Sequence, residues 1–211
     1  MDATRSGALV IACGALAHEI SALRRINGWD ALDVQCLPPE LHNYPDRIPA
    51  RVREAIEAAR ARYTKIFVAY ADCGTGGRLD ALLQAEGIER LPGAHCYEFF
   101  ATAQRFSELA AQEPGSFYLT DFLVRHFERL VAHTLGIDRH PELIGEYFRN
   151  YRRVVYLVQD EAHSDVAHAR AIAERLGLEF TVQNTGYGDL ATSLRRVAEP
   201  SPAEERLAWP R

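Results

Sequence analysis

Short apolar runs and helix-spaced stripes alternate along the whole chain. Residues 8–12 (ALVIA) form a compact apolar run, after which Leu16, Ile20, Leu23 and Ile26 recur at helical spacing. A short strand is predicted at 32–36, stopped by Pro38-Pro39. A strongly helical stretch at 48–62 follows, with Val52, Ile56 and Ala59 turned inward. Residues 65–70 (KIFVAY) are apolar on both faces, as a central strand would be. The pattern continues with a helix at 79–85, a short strand at 88–91 and a helix at 97–111 closed by Pro114-Gly115. A strand at 117–119 then leads into Thr120, a good N-cap, and a helix carrying Phe122, Leu123, Phe127, Leu130 and Val131 as far as Gly136.

Pro141 opens a further helix to Phe148, and 154–158 (VVYLV) is a second strong strand. A helix at 162–176 ends at Gly177, 178–182 is the last strand, and 189–197 the final helix. Neither a repeat nor a linker interrupts the series. The expected architecture is α/β, a mostly parallel doubly wound sheet with helices on both faces. It would form a single domain over residues 1–198, with 199–211 as a loose tail.

Composition narrows the class of protein. With 211 residues, 47% hydrophobic and 25% charged, the chain has enough length for one real core. These proportions exclude a disordered chain, a collagen-like rod and a disulfide-dense miniprotein. No run approaches ~18 apolar residues, so no membrane span is expected. The N-terminal apolar run is cut by Cys13-Gly14 and reads as a buried strand instead of a secretory signal, which points to the cytoplasm. A net charge of −5, from 24 basic and 29 acidic residues, argues against non-specific nucleic-acid binding. Lys65 is the sole lysine. Genomic base composition is the plain reason for so much arginine; anion recognition by its fork is the sharper one.

In parallel α/β sheets ligands bind beyond the carboxyl ends of the strands. Cys13 follows the first strand, His42 lies in the loop after the second, Cys73 follows the third and Cys96 the fourth. Three thiols and an imidazole gathered on one sheet edge would suit Zn²⁺ in tetrahedral geometry, or an iron–sulfur cluster. The alternative for each thiol is core packing, since cysteine behaves as a small hydrophobe; Cys36, inside a strand, is assigned to it. The turn Cys73-Gly74-Thr75-Gly76-Gly77 precedes a helix, and its N–H groups would hold an anion or lower the Cys73 pKa. It is neither G-x-G-x-x-G nor a phosphate loop with a lysine, and the alternative is a tight strand-to-helix turn. Gly186 and Gly188 form a second glycine-rich helix entry that would complete the same pocket.

His95 and Glu98 flank Cys96 and are the candidate acid–base residues, Glu98 also being a candidate fourth metal ligand. An acidic residue in a first helical turn also serves the helix dipole. Among the arginines between Arg125 and Arg153, Arg125 and Arg129 share a helix face, and one or two would reach an anionic substrate.

Taken together, Cys13-Gly14, Leu41-His42-Asn43, Asp72 to Gly77, Pro92 to Glu98 and Phe117 to Phe122 resemble the DUF1638 family, over most of the chain. The resemblance implies a prokaryotic, cytoplasmic α/β protein. Members are often encoded near corrinoid proteins and trimethylamine-type methyltransferases; no family-wide reaction can be transferred. The expected function is an enzyme or accessory factor of corrinoid-linked methyl transfer, holding zinc (or iron–sulfur) on Cys13, His42, Cys73 and Cys96. Its partner would be a small-molecule ligand or a corrinoid protein. A non-catalytic metal or cofactor carrier, and a metal-free thiol enzyme using Cys73, are the alternatives.

Overall fold

The computed structural model describes residues 7–199. The expected tail lies outside the described residues except for Glu199, as do the first six residues. The described residues form two compact units, one of residues up to 96 together with those from 189 onward, the other of residues 97–188.

In the first unit, strands β1 (Ala8–Cys13), β2 (Leu32–Leu37), β3 (Lys65–Ala69) and β4 (Glu89–Arg90) make a parallel sheet in the order β2-β1-β3-β4. Helices α1 (Ala17–Asn27), α2 (Ile48–Ala59) and α3 (Arg78–Glu86) connect them. The inner strands are the most apolar, with Val10, Ile11, Ala12, Val68 and Ala69 fully buried, as continuous hydrophobic runs in a covered parallel sheet must be. Helix α2 packs on β1 and β3 through its buried Val52 and Ile56. Left-handed Gly28 and Gly87 end α1 and α3.

The second unit contains α4 (Cys96–Ala101) from its second residue onward, then α5 (Ala103–Gln112), β5 (Ser116–Thr120) and α6 (Asp121–Phe127). A π-turn at Glu128–Ala132 leads to α7 (His133–Leu135), followed by α8 (Ile144–Tyr147), β6 (Arg153–Val158), α9 (Val166–Leu176) and β7 (Glu179–Asn184). Its strands are again all parallel, in the order β5-β6-β7. Phe127, Val154, Tyr156 and Ile172 anchor the core on one face of this sheet, and Tyr118, Val155 and Leu157 on the other. After Gly188, helix α10 (Gly188–Ala198) returns the chain to the first unit, where the Lys65 ammonium donates to the Arg196 carbonyl at 2.9 Å.

The α/β class and parallel strands agree with the sequence, but the expected single sheet is two. Strand β4 is only two residues long, so it gives the next strand little ladder to extend. The long helix expected at 97–111 breaks at Thr102, whose φ of 67° departs from helix geometry and whose hydroxyl accepts the Arg105 N–H. The helix expected from Ala162 starts only at Val166, because Asp165 caps it through the His168 N–H at 2.9 Å.

Candidate functional site

At the carboxyl edge of the first sheet, Cys13 closes β1 and points its sulfur into the start of a short 3-10 turn, where it accepts the Ala15 N–H at 3.4 Å. The His42 loop comes close because residue 14 is glycine. A Cβ there would lie 2.9 Å from both the Leu37 carbonyl oxygen and the Pro39 ring, so any larger residue would push the Pro39–Asn43 turn away. The outcome is a contact of 3.6 Å between Cys13 Sγ and His42 Nδ1. His42 Nδ1 also lies 3.3 Å from the Pro39 carbonyl oxygen.

Tyr70, directly after β3, forms the floor. It is 1% exposed, and its ring stacks on the His42 imidazole at 6.2 Å and 14°. Its phenol faces the Cys13 sulfur closely enough that each raises or lowers the other's ionisation, yet the hydroxyl makes no hydrogen bond of sound geometry. Nothing in an apolar strand-end residue marked Tyr70 as part of a site; the only available signal was its position at the end of a central strand.

Burial controls the electrostatics. It drives the Cys13 thiol up to about 12, with the Ala15 N–H opposing and Cys73 adding to the rise. Burial likewise lifts Cys73 to about 11. His42 is pushed below the usual imidazole value, first by burial and then by the charge of His95, against the pull of the Pro39 carbonyl. At neutral pH the pair is therefore a neutral thiol beside a neutral imidazole, not a thiolate–imidazolium ion pair.

The glycine-rich turn after β3 takes a different role from the one its sequence suggests. Asp72 accepts the Thr75 hydroxyl at 2.6 Å and the N–H groups of Gly76 and Gly77 at 3.1 and 2.9 Å. The anion these amides hold is the chain's own carboxylate, and Thr75 first of all keeps it well below the ordinary aspartate range. The turn does not depress the Cys73 thiol, because burial outweighs the one N–H, from Ala71, that favours its thiolate. Cys73 itself has φ 51°, a left-handed conformation that costs a non-glycine residue about 1–2 kcal/mol. Pro45, at the end of the His42 loop, lies against Gly74.

The loop carrying His95 and Cys96 is sewn to this turn. The Asp72 N–H donates to Gly93 and the Cys73 N–H to Ala94, at 3.1 and 2.9 Å. Arg90 reinforces it, with its guanidinium bidentate on Asp80 and also donating to the Leu91 and Gly93 carbonyls. Neither Arg90 nor Asp80 stood out in the sequence, since a lone strand-end arginine resembles any surface arginine.

Of the expected ligands, then, Cys13 and His42 touch and Cys73 is near enough to perturb Cys13. Cys96 opens α4. Among the described residues no three His, Cys, Asp or Glu side chains converge closely enough to hold a metal ion. Cys36, assigned to core packing, is instead exposed on the edge strand β2. Glu98 sits in the first turn of α4 and belongs to the second unit, as do Gly186 and Gly188. Gly188 has a packing reason of its own, because a Cβ there would lie 2.3 Å from the Phe99 and Phe100 carbonyl oxygens. Arg125 donates to the Asp121 carbonyl, closing its own helix turn.

Fold and site together define a parallel α/β protein with a thiol–imidazole pair at the carboxyl edge of its first sheet. Residues 36–194 match the family described as protein of unknown function (DUF1638), and the chain belongs to that family. Cys13 precedes the matched residues, whereas His42, Cys73 and Cys96 fall within them. No curated protein and no solved structure matches the chain. Among the described residues, no helix is long and apolar enough to cross a membrane.

Proposed function

We propose that the first unit holds a soft divalent metal, zinc in the first instance, seeded by Cys13 and His42 and closed by Cys73. The observation that carries this reading is the 3.6 Å separation of Cys13 Sγ and His42 Nδ1. Zinc binds sulfur at about 2.3 Å and imidazole nitrogen at about 2.0 Å, and two such ligands across a tetrahedral angle lie about 3.5 Å apart. The thiol proton shared by this pair occupies the place an ion would take, and metal uptake displaces it. Closure then requires Cys73, already within electrostatic reach of Cys13, to move inward.

The metal-free thiol reading is less well supported, because burial leaves both thiols protonated at neutral pH and only a thiolate attacks. A bound cation removes that obstacle. A reducing compartment such as the cytoplasm would keep these thiols free. Placement in corrinoid-linked methyl transfer, as enzyme, accessory factor or carrier, rests on the family resemblance. A zinc-bound thiolate is the chemistry such a role would use.

Cobalt substitution tests the site. The Co²⁺-loaded protein should bind one ion and show a thiolate-to-cobalt charge-transfer band, weakened in Cys13→Ala and in Cys73→Ala and unchanged in Cys36→Ala. Absence of the band, or its survival in a Cys13→Ala/Cys73→Ala double variant, would overturn the proposal.

A further inference from the structure

The opposite end of β3 from Tyr70 and Cys73 borders a cavity of its own. Strand β4 pairs only with Phe67 and Val68, so the first two residues of β3 have a neighbouring strand on the β1 side alone. Helix α10 borders the gap, tied to it by the Lys65 ammonium on the Arg196 carbonyl at 2.9 Å. Between them lies a cavity of about 370 Å³, lined wholly by residues of the first unit and within the range of about 300–1,000 Å³ that small-molecule sites occupy. Its floor is apolar, from Phe67 and Val197, both buried. Ser193 also lines it; the residue is 3% exposed, and its hydroxyl makes no hydrogen bond to any described residue. A hydroxyl that opens into a cavity with no acceptor in the chain is available to a ligand, with only water to displace.

At the rim stand Lys65 and Arg196, with Glu89 facing them. Two cations against one carboxylate leave a surplus of one positive charge. Exposed charges by themselves hold a ligand weakly. Here they stand over a buried hydroxyl and an apolar floor, and a few placed polar groups on an apolar lining is the make-up of a ligand site.

We infer that this cavity binds a small organic monoanion, its carboxylate taken by Arg196, Lys65 and the Ser193 hydroxyl and its apolar stem lying on Phe67 and Val197. The guanidinium fork matches the two carboxylate oxygens. Glu89 repels a head that carries more than one charge, so a phosphate monoester is disfavoured. The site does not depend on the metal reading and stands or falls apart from it.

Titration of the full chain with benzoate, phenyl phosphate and benzamide at neutral pH, followed by NMR, tests the inference. Benzoate should bind with a Kd of about 1 mM or tighter, ahead of phenyl phosphate and well ahead of neutral benzamide. Arg196→Gln should weaken benzoate about tenfold and Ser193→Ala about threefold, both with the wild-type melting temperature. Arg195→Gln, one residue along the helix and outside the cavity, should leave it unchanged. Glu89→Gln should strengthen phenyl phosphate about threefold. No benzoate binding by the wild type, or equal binding of benzamide, would overturn the site. Equal losses in Arg195→Gln and Arg196→Gln would also overturn it, since diffuse surface charge would then be the cause. Tighter binding of phenyl phosphate than of benzoate would overturn the assignment of a singly charged head.

Discussion

Cys13 concentrates the consequences of burial in one sulfur atom. Its thiol ionises ordinarily near 9.0 and at about 12 in the folded chain. Below pH 9 folded and unfolded states both keep the proton, and the benefit of the raised value is fully present. As pH climbs from 9 towards 12 only the unfolded chain releases it, so stability falls by about 1.4 kcal/mol per pH unit from this residue. Urea denaturation of the metal-free protein between about pH 8.5 and pH 10.5 should show that slope. Cys73, also raised by burial to about 11, adds a comparable fall, so Cys13→Ala should remove about 1.4 kcal/mol per pH unit of the total slope and leave the share of Cys73; an unchanged slope would mean that the Cys13 sulfur is not shielded as described. Tyr70 shows the limit of reading residues singly. At the end of KIFVAY it looks like one more apolar strand position, and only the folded register puts its hydroxyl beside a thiol and an imidazole. The two side chains that touch, Cys13 and His42, were legible because each follows a strand end. Cys36, placed within the strand, was misjudged because edge strands cover one flank only.

At the scale of elements, most of the fold was readable, because hydrophobic period and glycine stops are local properties. The seven strands of the described residues lie at or within a few residues of their expected places, and Gly136 and Gly177 close the helices they were expected to close. What escaped were events decided by a single hydrogen bond or a single close approach. Thr102 breaks a helix that its neighbours would have continued, and Asp72 fills the glycine cradle that seemed ready for a ligand. Asp121 was equally silent in sequence. It is buried at the start of α6 and joins β5 to the end of β6 by accepting the Tyr156 hydroxyl and the Gln159 and Asp160 N–H groups. Gly188 offers the clearest test at this scale. Its φ of 46° and the two α4 carbonyl oxygens that would stand 2.3 Å from an added Cβ leave no room for a side chain. Gly188→Ala should cost about 3 kcal/mol or more in urea denaturation, in metal-free and metal-loaded protein alike. A loss confined to ligand binding, with stability intact, would restore Gly188 to a binding role.

For the whole molecule, the strand–helix rhythm is uniform, and nothing in it marks where one sheet stops and another begins. The first sheet ends at the two-residue strand β4 and the second begins at β5, a strand pairing that no local window contains. Each sheet has its own carboxyl edge, and the thiol–imidazole pair belongs to the first. Hydrogen exchange across the full chain should therefore slow on zinc addition at the Cys13–Leu16 turn, the Pro39–Tyr44 loop and residues 70–76. Protection spread evenly, or concentrated elsewhere, would show that the ion sits at another place.

The first unit also contains the chain's single lysine, fastened through its ammonium to a carbonyl of α10. An amine-directed acylating reagent thus has one side chain to modify, and modifying it cancels the positive charge and leaves a single amide N–H where three ammonium donors stood. Acylated protein should therefore show faster hydrogen exchange at the last-turn amides of α10 than the untreated chain does.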